Sequence, residues 1–188
     1  PVSMRGLALI NARLVDPASG YDGPGCVLVR DGRIEAVEYQ PTFPSRPEDA
    51  RVIDCEGAVL APGLVDLRVK SGEPGSEARE TLRSVVDAAA AGGVTTLVLQ
   101  PDTHPAVDEP ALVDFLMRRG RDLESINVLA AGALTRGLKG EGLAEIGLMA
   151  EAGAVYFTDA DHVIADSRVL RRVMTYAGAF DALVTHRP

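Results

Sequence analysis

Residues 80–99 read ETLRSVVDAAAAGGVTTLVL, and this stretch contains the pattern that decides the fold. In its first half the apolar side chains recur at helical spacing and share one face. They are Leu82, Val85, Val86 and Ala89. The pair Gly92-Gly93 ends the pattern, as glycine commonly does just past a helix. The apolar run that begins at Val94 is typical of a buried parallel strand. The stretch therefore predicts a helix over 80–91 followed by a strand.

The same alternation of helix and strand is repeated along residues 61–188. Strand-like apolar runs begin every 28 to 32 residues, near Leu64, Val94, Ile126, Ala154 and Ala182. Helical patterns lie between them, over 80–91, 110–119, 141–152 and 167–179. Repeated units of this kind indicate an α/β protein with a parallel sheet, either open or closed into a barrel. A complete (β/α)8 barrel needs about 250 residues, so we expect its first half, strands one to five, in a chain that looks truncated.

Residues 1–60 have a different, β-rich pattern. The stretch 7–15 alternates between apolar and polar side chains, and Asp31-Gly32 lies between two short apolar runs. An Asp-Gly pair in that position is the strongest short-range signal of a β-hairpin. Further short strands are predicted over 51–54 and 58–60. We therefore expect a small β unit ahead of the barrel segment.

Composition and charge exclude several classes of partner. The formal net charge is −8, whereas nucleic acids and anionic membranes bind basic surfaces, so we expect neither partner. No apolar run approaches the roughly 18 residues that a transmembrane helix needs. Cys26 and Cys55 have no metal-type spacing and are expected to be buried thiols in a reducing compartment. We expect a soluble, cytoplasmic protein.

Two cations stand at the end of the first barrel strand. Arg68 and Lys70 lie two residues apart in LVDLRVKSGEPG, residues 64–75, just before a glycine-rich loop. Residues two apart in a strand point to the same side. The guanidinium and the ammonium are therefore expected to project together at the strand end.

Seven segments, taken in order, are similar to those of one known family. They are NARLVDPASG (11–20), DGRIEAV (31–37), GAVLAPGLVDLRV (57–69), EPG (73–75), AAGGVTTLVLQPDTHP (90–105), GALTRGLKGEGLAEI (132–146) and AGAVYFTDADHVIADSRVLRRVMTYAGAFDALVTH (152–186). The chain resembles the amidohydrolase superfamily, specifically its cyclic-amide branch around dihydroorotase. The resemblance implies a distorted (β/α)8 barrel with a β-sandwich built from both chain ends. Residues 1–60 would then be a β-sandwich segment and residues 61–188 a partial barrel. It also implies zinc-dependent, reversible hydrolysis of dihydroorotate to carbamoyl aspartate in pyrimidine synthesis.

The resemblance also identifies positions at which this chain departs from active members. Those members have a zinc-binding His-x-His at the end of the first strand, then an Arg that holds the substrate carboxylate. Here Arg68 and Lys70 occupy the two His positions and Gly72 occupies the Arg position, while Glu73-Pro74-Gly75 matches the family. Cationic side chains have no lone pair to give to zinc.

The remaining family positions in this chain are changed in the same way. An Asn that holds substrate after the second strand is replaced by Asp102, and a metal-binding Asp after the fourth strand is replaced by Ala160. The metal-binding His expected after the fifth strand aligns with Arg187, although a shift of one residue would place His186 there. We expect no metal ligand and no bound cofactor in this chain, whereas active members hold zinc.

Three interpretations of the two cations remain open. Arg68 and Lys70 could fill the barrel mouth as a structural plug, with Asp102 and Asp159 as partners. They could instead form a pocket for a carboxylate or phosphate ligand. Lys70 could also act as a base or nucleophile, although no neighbouring residue in the sequence supports that role.

Three functions follow from the resemblance. The preferred one is a catalytically inactive dihydroorotase-like subunit that assembles with aspartate transcarbamoylase, as known non-catalytic members do, and forms a homo-oligomer. The first alternative is an active zinc-dependent dihydroorotase with an altered metal site. The second is a barrel that binds and senses a pyrimidine intermediate. Zinc content separates the first alternative from the other two functions.

Overall fold

The computed structural model of the protein describes residues 6–45 and 49–187. The chain divides into two compact units, Pro1–Pro62 and Gly63–Pro188. Within the described ranges, no helix is both long enough and apolar enough to cross a membrane.

The first unit is a single sheet of five strands. They are β1 (Gly6–Asp16), β2 (Tyr21–Arg30), β3 (Arg33–Glu38), β4 (Ala50–Asp54) and β5 (Val59–Leu60). The strand order is β3-β2-β1-β4, with β5 also paired to β1. The predicted hairpin is present, and Asp31 and Gly32 have φ values of 49° and 71°. Positive φ at both residues suits the tight turn that matches the twist of the flanking strands. The segment predicted to belong to a β-sandwich therefore forms a single sheet in the described residues of this unit.

The second unit alternates strands and helices, as predicted. Its elements are β6 (Leu64–Val69), α1 (Leu82–Ala91), β7 (Val94–Leu99), α2 (Pro110–Leu123), β8 (Asn127–Ala130), α3 (Ile146–Glu151) and α4 (Ser167–Gly178). The three strands form a parallel sheet in the order β6-β7-β8. The sheet is open, as expected for the first part of an amidohydrolase barrel.

The fourth and fifth predicted strands are reduced to single bridges. Phe157 forms parallel bridges with Gly132 on one side and Val184 on the other. The backbone bonds are those of a short parallel ladder, with Phe157 N donating to Leu183 O at 2.9 Å and Thr185 N to Phe157 O at 2.9 Å. The order of strand positions around the partial barrel is therefore β6, β7, β8, Phe157 and Val184.

Two predicted helix boundaries were wrong. Helix α2 continues past Gly120 to Leu123 because Gly120 packs directly on β8, where a Cβ would lie 2.5 Å from the Cβ of Val128. Helix α3 begins at Ile146, not near residue 141, because Ala144 N donates to Leu134 O at 3.0 Å and ties that segment to the preceding loop.

One apolar cluster packs the helices against the parallel sheet. Its fully buried members include Leu82 of α1, Leu97 and Leu99 of β7, Leu116 of α2, Met149 of α3, Val173 of α4, and the bridge residue Phe157. This packing fixes the sheet, and the ends of its parallel strands lie at one edge, where barrel proteins place their sites.

Candidate functional site

Side chains from four strand ends meet at the carboxyl edge of the sheet. Lys70 directly follows β6, and Asp102 follows β7. Asp161 lies in the loop after Phe157, and Arg187 follows Val184. Parallel strands bring their carboxyl ends to the same edge, so residues far apart in the sequence come into contact there.

Five charged residues form one ion-pair network, here called the charge cluster: Arg68, Lys70, Asp102, Asp161 and Arg187. The Nζ of Lys70 lies 2.6 Å from Oδ2 of Asp102 and 2.6 Å from Oδ2 of Asp161. The guanidinium of Arg68 pairs with Oδ1 of Asp161, and Nη1 of Arg187 lies 3.2 Å from the same oxygen. Three cations therefore share two carboxylates, and all three contact Asp161.

The charge cluster favours the charged forms of Lys70 and Asp161. Lys70 donates one hydrogen bond to Asp102 and another to Asp161. These bonds, the one to Asp102 first, raise the pKa of the ammonium above its usual range. The hydrogen bond and charge of Lys70, helped by Arg68, lower the pKa of the Asp161 carboxyl. A lysine that acts as a base needs a lowered pKa, so the environment of Lys70 opposes that role.

Asp159 was wrongly predicted as a partner of the two cations. Its carboxylate is buried, with 1% of the residue exposed, and accepts bonds from the backbone N–H groups of Leu134 and Thr135, both at 2.9 Å. It also accepts a bond from the hydroxyl of Thr135. Asp159 therefore anchors the loop after β8, while Asp161 pairs with the cations.

Asp161 could not be identified from the sequence pattern because the chain turns just before it. Ala160 has a φ of 53°, which is a left-handed conformation that interrupts the side-to-side alternation of a strand. The carboxylates in Asp159-Ala160-Asp161 therefore point to different neighbours. The sequence did contain one indication of this partner, because Asp161 is a second acidic residue in the same loop.

Gly72 lies where the backbone leaves no room for a side chain. A Cβ at Gly72 would lie 2.3 Å from the carbonyl oxygen of Glu80 and 2.5 Å from that of Ser76. The loop itself is anchored by Glu73, which is 5% exposed and accepts bonds from Leu82 N at 2.9 Å and Arg119 Nε at 2.8 Å. In this loop conformation the position cannot hold an arginine.

The remaining predicted positions differ in their surroundings. Ala160 is buried and offers only a methyl group. His186 is half-buried, and its Nδ1 is buried without a hydrogen-bond partner in the part of the chain that the structure describes. His104 and His162 are both exposed. The structure therefore brings Arg68, Lys70, Asp102 and Arg187 together but leaves the other predicted residues outside the charge cluster.

A cavity of about 400 Å³ opens beside the charge cluster. Arg68, His186 and Arg187 contribute to its wall, and Tyr156 and Gln100 also line it. The hydroxyl of Tyr156 donates to the carbonyl oxygen of Leu67 and accepts from Nε2 of Gln100. Burial raises the pKa of this phenol, so it stays neutral and keeps its proton.

Comparison with known proteins assigns the family. The model of the dihydro-orotase-like family matches residues 57–187. The chain belongs to the dihydro-orotase-like family. It is 35% identical over 178 residues to a dihydroorotase from Syntrophus aciditrophicus, which covers 95% of this chain and 41% of that protein. It is also 40% identical over 183 residues to a dihydroorotase-like protein from Pseudomonas aeruginosa, covering 97% and 41%.

Solved structures support the same fold. The structure of the L-hydantoinase from Arthrobacter aurescens superposes with a TM-score of 0.76 at 22% identity, covering 96% of this chain and 40% of that one. A D-hydantoinase superposes with a TM-score of 0.69 at 20% identity. The chain thus spans about two-fifths of the length of the relatives it matches.

The side chains at the strand ends do not suit the zinc ion of active dihydro-orotase-like enzymes. Within residues 6–45 and 49–187, no group of three His, Cys, Asp or Glu side chains is placed to hold a metal ion. Arg68 and Lys70 offer only protonated nitrogen, which has no lone pair for a metal. Because both cations are already bound to Asp161, the nearest carboxylate is engaged as well.

Proposed function

We propose that this protein is a non-catalytic dihydroorotase-like member of pyrimidine biosynthesis. The observation that carries the proposal is the position of Lys70 between Asp102 and Asp161, with both contacts at 2.6 Å. An ammonium is held there by two carboxylates, at the strand end where active relatives carry zinc ligands.

Charge balance supports this reading of the site. A divalent metal at the strand ends would face three cations, Arg68, Lys70 and Arg187, within the same cluster. Like charges repel one another, and water weakens but does not abolish that repulsion at side chains that are 52–61% exposed. The two carboxylates are better neutralised by the cations already bonded to them, so the ion pairs take over the role that the metal has in holding the strand ends together.

The consequence for catalysis follows from what zinc supplies. Zinc lowers the pKa of a bound water to about 7 and polarises a carbonyl group. The raised pKa of Lys70 makes it a poor substitute as a base. Gly72 also leaves the substrate carboxylate without the arginine that holds it in active members, and Asp102 adds a negative charge that opposes an anionic substrate.

The proposed role is assembly with aspartate transcarbamoylase in the cytoplasm, as a homo-oligomer. Its support is the family resemblance together with the altered site, because a member without chemistry is retained for what it binds. Affinity purification of the tagged whole protein from its own cells is expected to recover the transcarbamoylase in a fixed ratio. Recovery of the protein alone would contradict this part of the proposal.

Loss of activity is tested with dihydroorotate itself. The purified whole protein, incubated with excess zinc, is expected to show no hydrolysis above the uncatalysed rate. The Syntrophus aciditrophicus dihydroorotase, assayed in parallel, serves as the positive control. Turnover that disappears after chelation would overturn the proposal in favour of an active zinc-dependent dihydroorotase.

A further inference from the structure

Two arginines line the cavity beside the charge cluster. They are Arg68 and Arg187, and they lie there together with His186, Thr158 and Thr185. None of the described residues that line it is acidic. Guanidinium and hydroxyl donors around one space form the chemistry that recognises an oxyanion.

The donors of these guanidinium groups are only partly used. Arginine carries five N–H donors. In the described part of the chain, Arg68 reaches Asp161 through Nη2 and Arg187 reaches it through Nη1, both on the same oxygen, Oδ1. A single carboxylate oxygen cannot satisfy two planar forks, so the remaining donors are available to a ligand in the cavity.

We propose that this cavity binds a small oxyanion, carried by a carboxylate or a phosphate group, between Arg68 and Arg187, and that Asp161 is its internal competitor. The inference rests on the proposed loss of the metal, because the oxyanion and the two arginines occupy the strand ends where zinc would be held. The proposed oxyanion contact differs from the substrate contact that the family resemblance implies, because the arginine of that contact is replaced by Gly72 in this chain.

Asp161 has the features of an internal competitor. Its carboxylate lies on a loop, is 42% exposed, and offers its oxygens to all three cations of the charge cluster. A ligand carboxylate or phosphate would present the same oxygens to the same donors. Removing the charge of Asp161 therefore raises the positive potential of the cavity and frees donors of Arg68 and Arg187.

His186 adds an imidazole with an unpartnered nitrogen to the residues that line the cavity. Its Nδ1 is buried and makes no hydrogen bond within the described residues. In the tautomer that carries a proton on Nδ1, a bound oxyanion that reaches this nitrogen would supply the partner that the described chain does not. The ligand would then have donors from two strand ends, one at Arg68 and one at His186 and Arg187.

The test measures binding of inorganic phosphate and of malonate by calorimetry, using the whole protein in metal-free buffer at low ionic strength. Arg68→Gln and Arg187→Gln are each expected to weaken binding at least tenfold. Asp161→Asn keeps the size of the side chain but removes its charge and replaces one acceptor oxygen by a donor NH2 group, and it is expected to tighten binding about five- to tenfold. Arg83→Gln, an exposed arginine of α1, is the matched control and is expected to change neither affinity.

The outcomes separate the two oxyanion sources and the two proposals. Tighter binding of malonate assigns a carboxylate ligand, and tighter binding of phosphate assigns a phosphate ligand. No measurable binding by wild type and by Asp161→Asn would overturn the inference, as would an equal loss of affinity in Arg83→Gln. A protein that lacks zinc and turnover yet binds no oxyanion overturns this inference alone, whereas a zinc-loaded, active protein overturns the proposed function.

Discussion

The Nζ of Lys70 lies 2.6 Å from Oδ2 of Asp161, which ties the end of the first barrel strand to the loop after the fourth. The two residues are 91 positions apart in the sequence. Contacts across such a distance report the tertiary fold directly, so this ion pair is a sensitive indicator of whether the strand ends are correctly assembled.

The ion pair is expected to give stability a specific dependence on pH. The pKa of the Asp161 carboxyl is lowered on folding, so its contribution is present above its unfolded pKa of about 3.9 and is lost as the pH falls through the lower folded value. The pKa of Lys70 is raised, so its contribution is present below about pH 10.4 and is lost as the pH rises through the higher folded value. Between pH 5 and pH 9 the contribution is constant.

This dependence is measured as the difference in urea midpoint between wild type and Asp161→Asn from pH 2 to pH 9. The difference is expected to be steady above pH 5 and to shrink below about pH 3.9. Asp87→Asn, at an exposed position of α1, should show no such trend. A difference that persists unchanged at pH 2 would contradict the assignment of Asp161 as the ion-pair partner.

Substitution of Gly72 by alanine is expected to destabilise the protein by about 1–3 kcal/mol, because the new methyl group would overlap two backbone oxygens, Glu80 O at 2.3 Å and Ser76 O at 2.5 Å. Gly142→Ala is the matched control, since no atom lies within 4 Å of a Cβ at that loop position. Chemical unfolding of both variants checks the prediction. Equal stability of the two variants would show that the loop conformation around Gly72 is wrong.

Substitution of Tyr156 by phenylalanine is expected to lower the free energy of unfolding by about 1–3 kcal/mol. The change removes the hydroxyl that bonds both the carbonyl of Leu67 and the amide of Gln100, which leaves the buried Gln100 amide without this partner. The double variant with Gln100→Leu should cost less than the sum of the two single changes. Tyr39→Phe, at a side chain that is 58% exposed, should be nearly neutral.

Substitution of Glu73 by glutamine is expected to cost about 1–2 kcal/mol. The carboxylate accepts bonds from Leu82 N, at the start of α1, and from Arg119 of α2, so it stabilises a helix N-terminus and joins two helices. Glu80→Gln, at an exposed position of the same loop, serves as the control in thermal unfolding. A smaller effect for Glu73→Gln than for Glu80→Gln would refute the anchoring role.

Much of the fold could be predicted because its signals are local. The apolar runs at Leu64 and Val94 and the turn at Asp31-Gly32 each specify an element from a few neighbouring residues. The errors arose where tertiary contacts override local pattern. Gly120 was expected to end a helix, but it allows α2 to approach Val128 closely.

The candidate site, like the fold, was predicted where the signals are local and was missed where they depend on tertiary contacts. Positions such as Arg68 and Lys70 were identified because the family motif surrounds them, and their location at a strand end followed from strand geometry. Asp102 was predicted as a partner and pairs with Lys70. The second partner could not be chosen between Asp159 and Asp161 from the sequence, because the backbone turn at Ala160 sends their side chains to different neighbours. Which carboxylate pairs with the cations depends on which one accepts hydrogen bonds from the loop after β8. In the structure that carboxylate is Asp159, through a long-range contact with Leu134.

The measurement that tests the loss of the metal site most directly is zinc per chain in the purified whole protein after exposure to excess zinc. The charge cluster of Arg68, Lys70, Arg187, Asp102 and Asp161 predicts no tightly bound zinc, and the same result is expected for Asp161→Asn, because the cations remain. One or two zinc ions held through dialysis against a weak chelator would contradict the proposal and show that other residues rebuild the metal site.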